Sequence, residues 1–256
     1  MSAVATSPAP SVTPLLECVD VEKRFGGVRA LAGVSLTISH GESVGLVGPN
    51  GSGKSTLISV LCGAQRPTAG VVRLDGRRVD KLDPHALSHL GVARTHQIPK
   101  PFASLTVRDN VAVACMFGRV GQTLAEARSS AEEHLGVVGL AAQADALPHE
   151  INLHQRQLLE LGRALATRPT LLLLDEVLAG LNPAEVDEAL GVLRTIREGG
   201  TTILMVEHVM RAVMGLAERI VVLDQGKKLA DDVPNVVMND PAVAEAYLGR
   251  EHGARG

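Results

Sequence analysis

The stretch Gly48-Pro49-Asn50-Gly51-Ser52-Gly53-Lys54-Ser55-Thr56 decides the fold of this 256-residue chain. It satisfies the pattern G-x-x-x-x-G-K-[ST]. The apolar run 43–47 stands directly before it, and residues 55–61 after it have the spacing of a helix. A glycine-rich turn between a buried strand and a helix start is the setting in which this pattern cradles phosphate groups. The sequence therefore predicts a phosphate-binding loop at the end of a central parallel strand.

Each part of this loop has a predicted chemical role. The glycines let backbone N–H groups turn toward phosphate oxygens, and the helix N-terminus adds a partial positive charge. Lys54 is expected to reach the β and γ oxygens, and Ser55 offers a hydroxyl to Mg²⁺. Residues 48–56 are thus the predicted nucleotide-binding loop. A glycine-rich turn without a ligand is the alternative.

Two further strand ends supply acidic and imidazole side chains. Asp175 and Glu176 follow four leucines, and His208 follows the apolar run 202–206. Strand ends of a parallel sheet meet at one edge, where α/β proteins bind ligands. We therefore expect Asp175 on the Mg²⁺ side, Glu176 as the general base that polarises the attacking water, and His208 at the γ-phosphate. A plain strand end and a satisfied surface histidine are the alternatives.

Composition narrows the class of protein. The net charge is −3 and the basic residues are scattered, which disfavours a nucleic-acid partner. Cys18, Cys62 and Cys115 lack the spacing of zinc or disulfide frameworks and predict free thiols in a reducing compartment. No run reaches the roughly 18 to 20 apolar residues of a spanning helix. Residues 1–14 lack a signal-peptide pattern and are interpreted as a disordered tail.

Hydrophobic periodicity separates strands from helices. Strands are predicted at 15–19, 34–38, 43–47, 71–74, 171–174, 202–206 and 220–223. Helices are predicted at 55–61, 107–115, 124–135, 153–165, 183–196 and 209–216. The helical stretch in the middle indicates a separate lobe, and the later alternation of strand and helix indicates a return to the first sheet.

Taken together, these residues resemble the ATP-binding subunits of ABC transporters over nearly the whole chain, residues 15–250. The resemblance implies ATP and Mg²⁺ as cofactors and ATP hydrolysis as the activity. It implies that Phe25, in Arg24-Phe25-Gly26-Gly27, stacks on adenine. It also implies that Gln97, in Ala93-Arg94-Thr95-His96-Gln97, senses Mg²⁺ during hydrolysis and couples the core to the membrane subunit. Core packing for Phe25 and an exposed side chain without a role for Gln97 are the alternatives.

The implied fold is an α/β P-loop NTPase core, with a mainly parallel sheet, flanking helices, an antiparallel β portion and an inserted helical lobe. The core lobe is predicted to comprise residues 15–97 and 163–235, and the helical lobe residues 98–162. A C-terminal helix and tail occupy 236–256. Three stretches, 97–107, 178–183 and 240–249, are similar to the branched-chain amino-acid uptake group, which includes relatives for urea and short amides.

The resemblance also implies partners and a location. The expected partners are transmembrane permease subunits, a second ATP-binding subunit in a homodimer or heterodimer and, indirectly, a solute-binding protein. The chain would then lie peripherally at the cytoplasmic face of the inner membrane. A nucleotide-binding subunit that regulates more than it hydrolyses is the main alternative. A soluble ABC-type ATPase is disfavoured because this chain lacks a second nucleotide domain, and a GTPase because it lacks an Asn-Lys-x-Asp guanine reader.

Two departures from the family pattern stand out. Val177 replaces the usual proline after Asp175-Glu176, and Ile151-Asn152-Leu153-His154-Gln155 replaces the signature Leu-Ser-Gly-Gly-Gln. In the family this signature completes the ATP site of the opposite subunit, so Asn152, His154 and Gln155 are expected to contact the partner's nucleotide. The loss of both glycines predicts a defective contact and obligate pairing with a different ATPase. Alternatively, His154 donates from its ring and rescues the contact.

Overall fold

A computed structural model describes residues 13–248 of the chain. The predicted tail of residues 1–14 thus lies outside the described residues, apart from Thr13 and Pro14. The strands, in chain order, are β1 (Leu16–Phe25), β2 (Val28–Ile38), β3 (Ser43–Val47), β4 (Ala69–Leu74), β5 (Arg77–Arg78), β6 (Val92–Arg94), β7 (Leu171–Asp175), β8 (Thr202–Val206), β9 (Arg219–Asp224) and β10 (Lys227–Asp232).

Helices lie between these strands and after the last of them. They are α1 (Lys54–Leu61), α2 (Pro84–His89), α3 (Val107–Phe117), α4 (Leu124–Val137), α5 (Leu153–Ala166), α6 (Pro183–Glu198), α7 (Met210–Leu216), α8 (Pro234–Met238) and α9 (Pro241–Leu248). A short 3₁₀ turn, Ala141–Gln143, follows α4. Within residues 13–248, none of the helices has the length and apolar character needed to cross a bilayer.

Parallel strands form the centre of the structure. Among the described residues, a six-stranded sheet has the order β10-β9-β3-β8-β7-β6, and β10 runs antiparallel to β9. Strands β3, β7 and β8 are buried along their whole lengths, as expected for strands covered on both faces. A four-stranded antiparallel sheet has the order β2-β1-β4-β5. This architecture confirms the predicted fold class.

The parallel sheet has a hydrophobic core on each face, because alternate side chains of a strand point to opposite faces. Leu171 and Leu173 of β7 belong to the core formed with β1, β2 and α1. Leu172 and Leu174 belong to the core formed with helices α3 to α7. One leucine-rich strand therefore joins the antiparallel sheet to the helical lobe.

Capping side chains begin several of the helices that cover the sheet. Thr106 caps α3, Thr123 caps α4 and Asn182 caps α6, each by accepting a hydrogen bond from a first-turn N–H. Helices α3, α4 and α5 contact one another, and α5 also contacts β6. The predicted lobe boundary at residue 163 falls inside α5, so the division at that residue stays a prediction.

Some elements are not predicted by periodicity. Strands β3 and β8 agree with the prediction residue for residue, whereas β2 begins at Val28 and not at residue 34. The elements β5, α2, β6, β10 and α8 have no counterpart among the predictions. They are short, and β10, Lys227–Asp232, is polar and largely exposed. A segment of this kind gives no clear alternation of apolar residues.

Gly45 of β3 sets how closely α7 packs on the sheet. A Cβ at this position would lie 2.7 Å from Cγ1 of the buried Val213 and 3.4 Å from Cβ of Ala217. We expect Gly45→Ala to lower the free energy of unfolding by about 1 to 3 kcal/mol through overpacking. Gly191→Ala in α6 is the control, because a Cβ there meets nothing within 4 Å. Denaturant titration of both variants measures the difference, and equal stabilities would contradict the packing argument.

Candidate functional site

Three strand ends meet at one edge of the parallel sheet. Leu46 of β3 and Asp175 of β7 both lie beside Val206 of β8 in the register of the sheet. The segments that follow these strands are therefore neighbours. They are the glycine-rich loop, Glu176 and His208, which the sequence predicted to share one site.

The glycine-rich loop leaves the first turn of α1 open. Gly53 is the N-cap with a φ of 108°, and no side chain caps α1, unlike helices α2 to α6. A Cβ on Gly48 would lie 2.1 Å from the carbonyl oxygen of Leu223, and a Cβ on Gly53 would lie 2.6 Å from that of Ala30. Only glycine fits at these two places. The first N–H groups of α1 are thus left for an anion.

A pocket of about 510 Å³ lies over this loop. Its volume is in the usual range for small-molecule sites. Lys54 is buried, and its Nζ donates to the carbonyl oxygens of Gly48 at 2.7 Å and Pro49 at 3.1 Å. The Ser52 hydroxyl is buried without a hydrogen-bond partner. The lining residues are Val28, Arg29, Ala30, Asn50, Gly51, Ser52, Gly53, Lys54, Ser55, Thr56, Glu176, His208 and Gln225.

Three of the predicted catalytic residues are in direct contact. The Glu176 carboxylate accepts a hydrogen bond of 2.6 Å from Nε2 of Gln97, and its other oxygen lies 2.9 Å from Nε2 of His208. Glu176 itself has a φ of 52°, and its N–H donates to the carbonyl oxygen of Val206 at 2.9 Å. A non-glycine residue in this left-handed region is strained, and such strain is common at functional sites.

Asp175 has a partner that the sequence did not reveal. Its carboxylate, which is largely buried, accepts a hydrogen bond of 2.6 Å from Nη2 of Arg94. Arg94 ends β6, a strand that periodicity did not predict, so no signal placed it beside β7. The arginine lies three residues before Gln97. One short segment of chain therefore contacts both Asp175 and Glu176.

The residues around the loop fit a magnesium ion in their chemistry. Mg²⁺ prefers oxygen ligands and commonly uses one or two carboxylates together with substrate phosphates. Asp175 offers a carboxylate, and Ser55 offers an exposed hydroxyl in the first turn of α1. Gln97, the third residue predicted for the metal, contacts Glu176. Within residues 13–248, no cluster of three or more His, Cys, Asp or Glu side chains suggests a different metal site.

Phe25 stands beside the pocket and is not among its lining residues. It is the last residue of β1, its ring is 46% exposed, and Nζ of Lys23 lies 4.9 Å from the ring centroid. Its cross-strand neighbour Val28 does line the pocket. The core-packing alternative is therefore wrong for Phe25, and its stacking on adenine stays a prediction.

The segment 151–155 forms the start of α5 and not a wall of the pocket. Asn152 is the N-cap and accepts a hydrogen bond of 2.8 Å from the N–H of Gln155, whose side chain accepts one of 3.0 Å from the N–H of Asn152. This capping box uses both amide side chains within the chain itself. The predicted contacts of Asn152 and Gln155 with a partner's nucleotide stay predictions.

The expectation for His154 is corrected by the structure. Its side chain is only 5% exposed and lies among residues of α5 and α6, with neither ring nitrogen hydrogen-bonded. Its nearest charged group is the Glu188 carboxylate, at 3.7 Å. The ring points into the core because residues 154, 158 and 161 share the inner face of α5. The half-exposed Leu153, and not His154, is the side chain presented beside Asn152.

Glu207 is a buried residue of the site that sequence reasoning missed. It stands in the chain between the end of β8 and His208, and the N–H of Leu178 donates to its Oε1 at 3.0 Å. The residue is 2% exposed. Burial raises the pKa of Glu207 to about 7, against the opposing effect of the Leu178 hydrogen bond, and the nearby Glu176 carboxylate acts in the same direction as burial.

Comparisons with known proteins find similarity over most of the chain. The family model described as "ABC transporter" matches residues 31–179, and the one described as "Branched-chain amino acid ATP-binding cassette transporter" matches residues 227–253. The chain is 36% identical over 250 residues to the high-affinity branched-chain amino acid transport ATP-binding protein BraF of Pseudomonas aeruginosa. That alignment covers 92% of this chain and 98% of BraF.

A second relative and a solved structure extend the comparison. The chain is 37% identical to the protein LivG of Salmonella typhimurium, which bears the same description, with 92% of this chain and 98% of LivG covered. The crystal structure of an ATP-binding cassette of an ABC transporter in its ADP conformation gives a TM-score of 0.83 at 29% identity. It covers 92% of this chain and 99% of that one.

The raised pKa of Glu207 makes stability depend on pH. The pKa of Glu207 in the folded protein, about 7, exceeds its ordinary value of 4.5. The stability that the neutral side chain contributes to the folded state is therefore fully present below pH 4.5 and is lost as the pH rises through 7. We expect the free energy of unfolding, relative to Glu207→Gln, to fall by about 2 to 3 kcal/mol between pH 5 and pH 8. Urea titration at both pH values measures this, with Glu198→Gln on exposed α6 as control. A difference that does not change with pH would contradict the prediction.

Proposed function

Because this chain belongs to the ABC transporter family as an ATP-binding subunit, we propose that it is the ATP-hydrolysing, energy-coupling subunit of an importer for branched-chain amino acids or related small solutes. The single observation that carries the ATPase role is the contact of Glu176 with Gln97 and His208 beside the uncapped N-terminus of α1. The full-length similarity to BraF and LivG supports the import role.

In this proposal, the glycine-rich loop binds the triphosphate of ATP. The N–H groups of the loop and of the first turn of α1 would donate to phosphate oxygens, and Lys54 would exchange its bonds to Gly48 and Pro49 for bonds to the β and γ oxygens. Ser55, Asp175 and Gln97 would hold Mg²⁺. The ion would supply positive charge that neutralises charge developing on the phosphate oxygens.

Hydrolysis requires a group that accepts a proton from the attacking water. Glu176 suits this role, because its carboxylate reaches the pocket and is oriented by Gln97 and His208. His208 lines the same pocket, and its Nε2 would exchange its contact with Glu176 for a hydrogen bond donated to a γ-phosphate oxygen. In this division of roles, Glu176 takes the proton and His208 stabilises the charge on the phosphate. Phe25, on the neighbouring hairpin, would stack on adenine.

The relatives support the proposed cargo and membrane partners. Both BraF and LivG are described as branched-chain amino acid transport proteins, and the family model for such transporters matches the C-terminal residues 227–253. Transmembrane permease subunits would bind this chain and hold it at the cytoplasmic face of the membrane. A solute-binding protein would act through those permeases.

A second candidate function is favoured by the start of α5. The family signature would act on the nucleotide of the opposite subunit, yet here Asn152 and Gln155 bond to each other and Leu153 stands exposed. A leucine side chain obstructs the close approach that glycine permits. We therefore propose a heterodimer in which this chain's own pocket is competent and the one it completes is slow. If the slow pocket hydrolyses almost no ATP, the chain acts on that pocket as a weakly hydrolysing, regulatory subunit.

Glu176→Gln tests the proposed base. We expect the variant to bind ATP as the natural protein does and to lose hydrolysis, because the amide keeps the shape of the carboxylate but does not accept the proton. Calorimetry with ATP and turnover in the reconstituted transporter are the two measurements. Lys54→Ala is the matched comparison and should lose ATP binding itself, since several charge-assisted hydrogen bonds disappear. Full turnover by Glu176→Gln would show that Glu176 is not the base.

Leu153→Gly tests the heterodimer. We expect the chain alone to hydrolyse ATP about 100-fold more slowly than its mixture with the partner ATPase and permeases, because losing one preorganised donor costs about 10²- to 10³-fold. Leu153→Gly should raise the rate of the chain alone. Leu124→Gly is the control, since Leu124 is also an exposed first residue after a capping box. Brisk turnover by the chain alone, unchanged by Leu153→Gly, would contradict asymmetric pairing.

A further inference from the structure

The chain immediately after Glu176 winds around one buried carboxylate. Glu176 is left-handed, and its N–H continues the sheet by donating to Val206. The N–H of Leu178 donates to the carboxylate of Glu207 at 3.0 Å, and the N–H of the preceding Val177 acts on the same carboxylate by lowering its pKa. Successive N–H groups next to a left-handed residue form a nest, a backbone concavity that binds an anion. Here the chain itself supplies the acceptor, the carboxyl group of Glu207.

Backbone donors alone hold this carboxylate in place. Among residues 13–248, Glu207 forms no ion pair with a Lys, Arg or His side chain, and the charged neighbour that acts on it is Glu176, a second carboxylate. A buried carboxylate without a cation is costly unless hydrogen bonds satisfy it. The N–H of Leu178 supplies such a bond, and the N–H groups of Val177 and His208 act in the same direction by lowering the pKa of Glu207 against the effect of burial. The same contacts fix the backbone on both sides of the sheet edge.

Val177 gains a role from its backbone rather than from its side chain. Where the family pattern has proline, no N–H exists to donate to a carboxylate. Valine restores the N–H group, which lowers the pKa of Glu207 as the N–H of Leu178 does. The departure at residue 177 therefore adds one N–H group to the nest.

The far end of the same segment is held by α5. Nε2 of Gln157, a largely buried side chain, donates to the carbonyl oxygen of Ala179 at 2.9 Å. Residues 177–179 are thus tied to β8 through Glu207 and to α5 through Gln157. Glu176 immediately precedes this fixed segment, so its backbone has little freedom to leave the left-handed conformation.

We propose that Glu207 is a positioning residue for ATP hydrolysis: its carboxylate accepts a hydrogen bond from the N–H of Leu178, next to the N–H of Val177, and so keeps the Glu176 carboxylate turned toward Gln97 and His208. This inference rests on the proposed role of Glu176 as the general base. Glu207 itself touches neither the nucleotide nor the water in this arrangement. Its effect on the reaction is exerted through the backbone of Glu176.

Glu207→Gln is the first test, made in the reconstituted transporter. The amide offers one acceptor oxygen in place of two, and its NH₂ group meets the N–H donors of the nest. We expect kcat to fall about 10- to 100-fold, because small misplacements of a catalytic group have effects of this size. The KM for ATP should stay within about twofold of the natural value, since the glycine-rich loop is untouched. A purely structural defect would lower the active fraction without this split, and titration of ATP-binding sites measures that fraction.

Val177→Pro is the second test, and it removes one donor without altering the carboxylate. Its kcat should fall by less than that of Glu207→Gln, and Val177→Ala, which keeps the N–H, should lose less than Val177→Pro. If the N–H of Val177 and the carboxylate of Glu207 act through the same nest, Val177→Pro should lower kcat less in the Glu207→Gln variant than in the natural protein. Should Glu207→Gln fail to fold, the comparison of Val177→Pro with Val177→Ala decides the question.

The outcomes separate this inference from the proposed function. If Glu176→Gln loses turnover while Glu207→Gln keeps the natural kcat, the positioning role is overturned and the base assignment stands. If Glu207→Gln does not fold, a natural kcat in Val177→Pro has the same consequence. Full turnover in Glu176→Gln would overturn the base assignment, and the positioning role with it. Equal losses in Val177→Pro and Val177→Ala would also overturn it, because the N–H would then be irrelevant.

Discussion

The parallel pairing of β7, β8 and β3 is the constraint on which the site depends. Val206 lies beside both Leu46 and Asp175 in the sheet, so the chain leaves all three strands at the same level. The ladder continues one residue further, because the N–H of Glu176 donates to Val206. Leucines on both faces of β7 hold these strands in register. A register slip in one strand would separate Glu176 from His208 and from the glycine-rich loop together.

Sequence patterns predicted the elements whose local sequence preference agrees with their burial in the folded protein. Strands β3 and β8 are apolar at nearly every position because both faces of the sheet are covered, so their bounds are read directly from the sequence. The loop, Glu176 and His208 follow such strands, and their proximity follows from parallel topology alone. For helices such as α6, the capping residue Asn182 and the following proline mark the start.

The missed features depend on contacts between distant segments. Arg94 ends a three-residue strand, and its pairing with Asp175 becomes evident only when β6 is placed beside β7. His154 was expected at the partner's nucleotide because it stands in the segment that replaces the family signature, yet it is three and four residues from Gln157 and Leu158, which share the buried face of α5. The helical period of α5 therefore contained the information that the resemblance alone did not give. Glu207 left no comparable signal, because a carboxylate after a strand resembles a solvated strand end.

Several unfavourable groups of the structure lie around the short segment that follows Glu176. Glu176 is held in a left-handed conformation, which for such a residue costs on the order of 1 to 3 kcal/mol. Glu207 is a buried acid, and the nearby His154 has no hydrogen-bond partner on its ring. Strain of this kind persists only where the surroundings over-determine the conformation. Here the conformation is fixed by three contacts: the sheet ladder, the nest around Glu207, and the hydrogen bond from Gln157 to Ala179. A conformational change at the start of α5 would therefore reach Glu176 through a segment that has few other ways to relax.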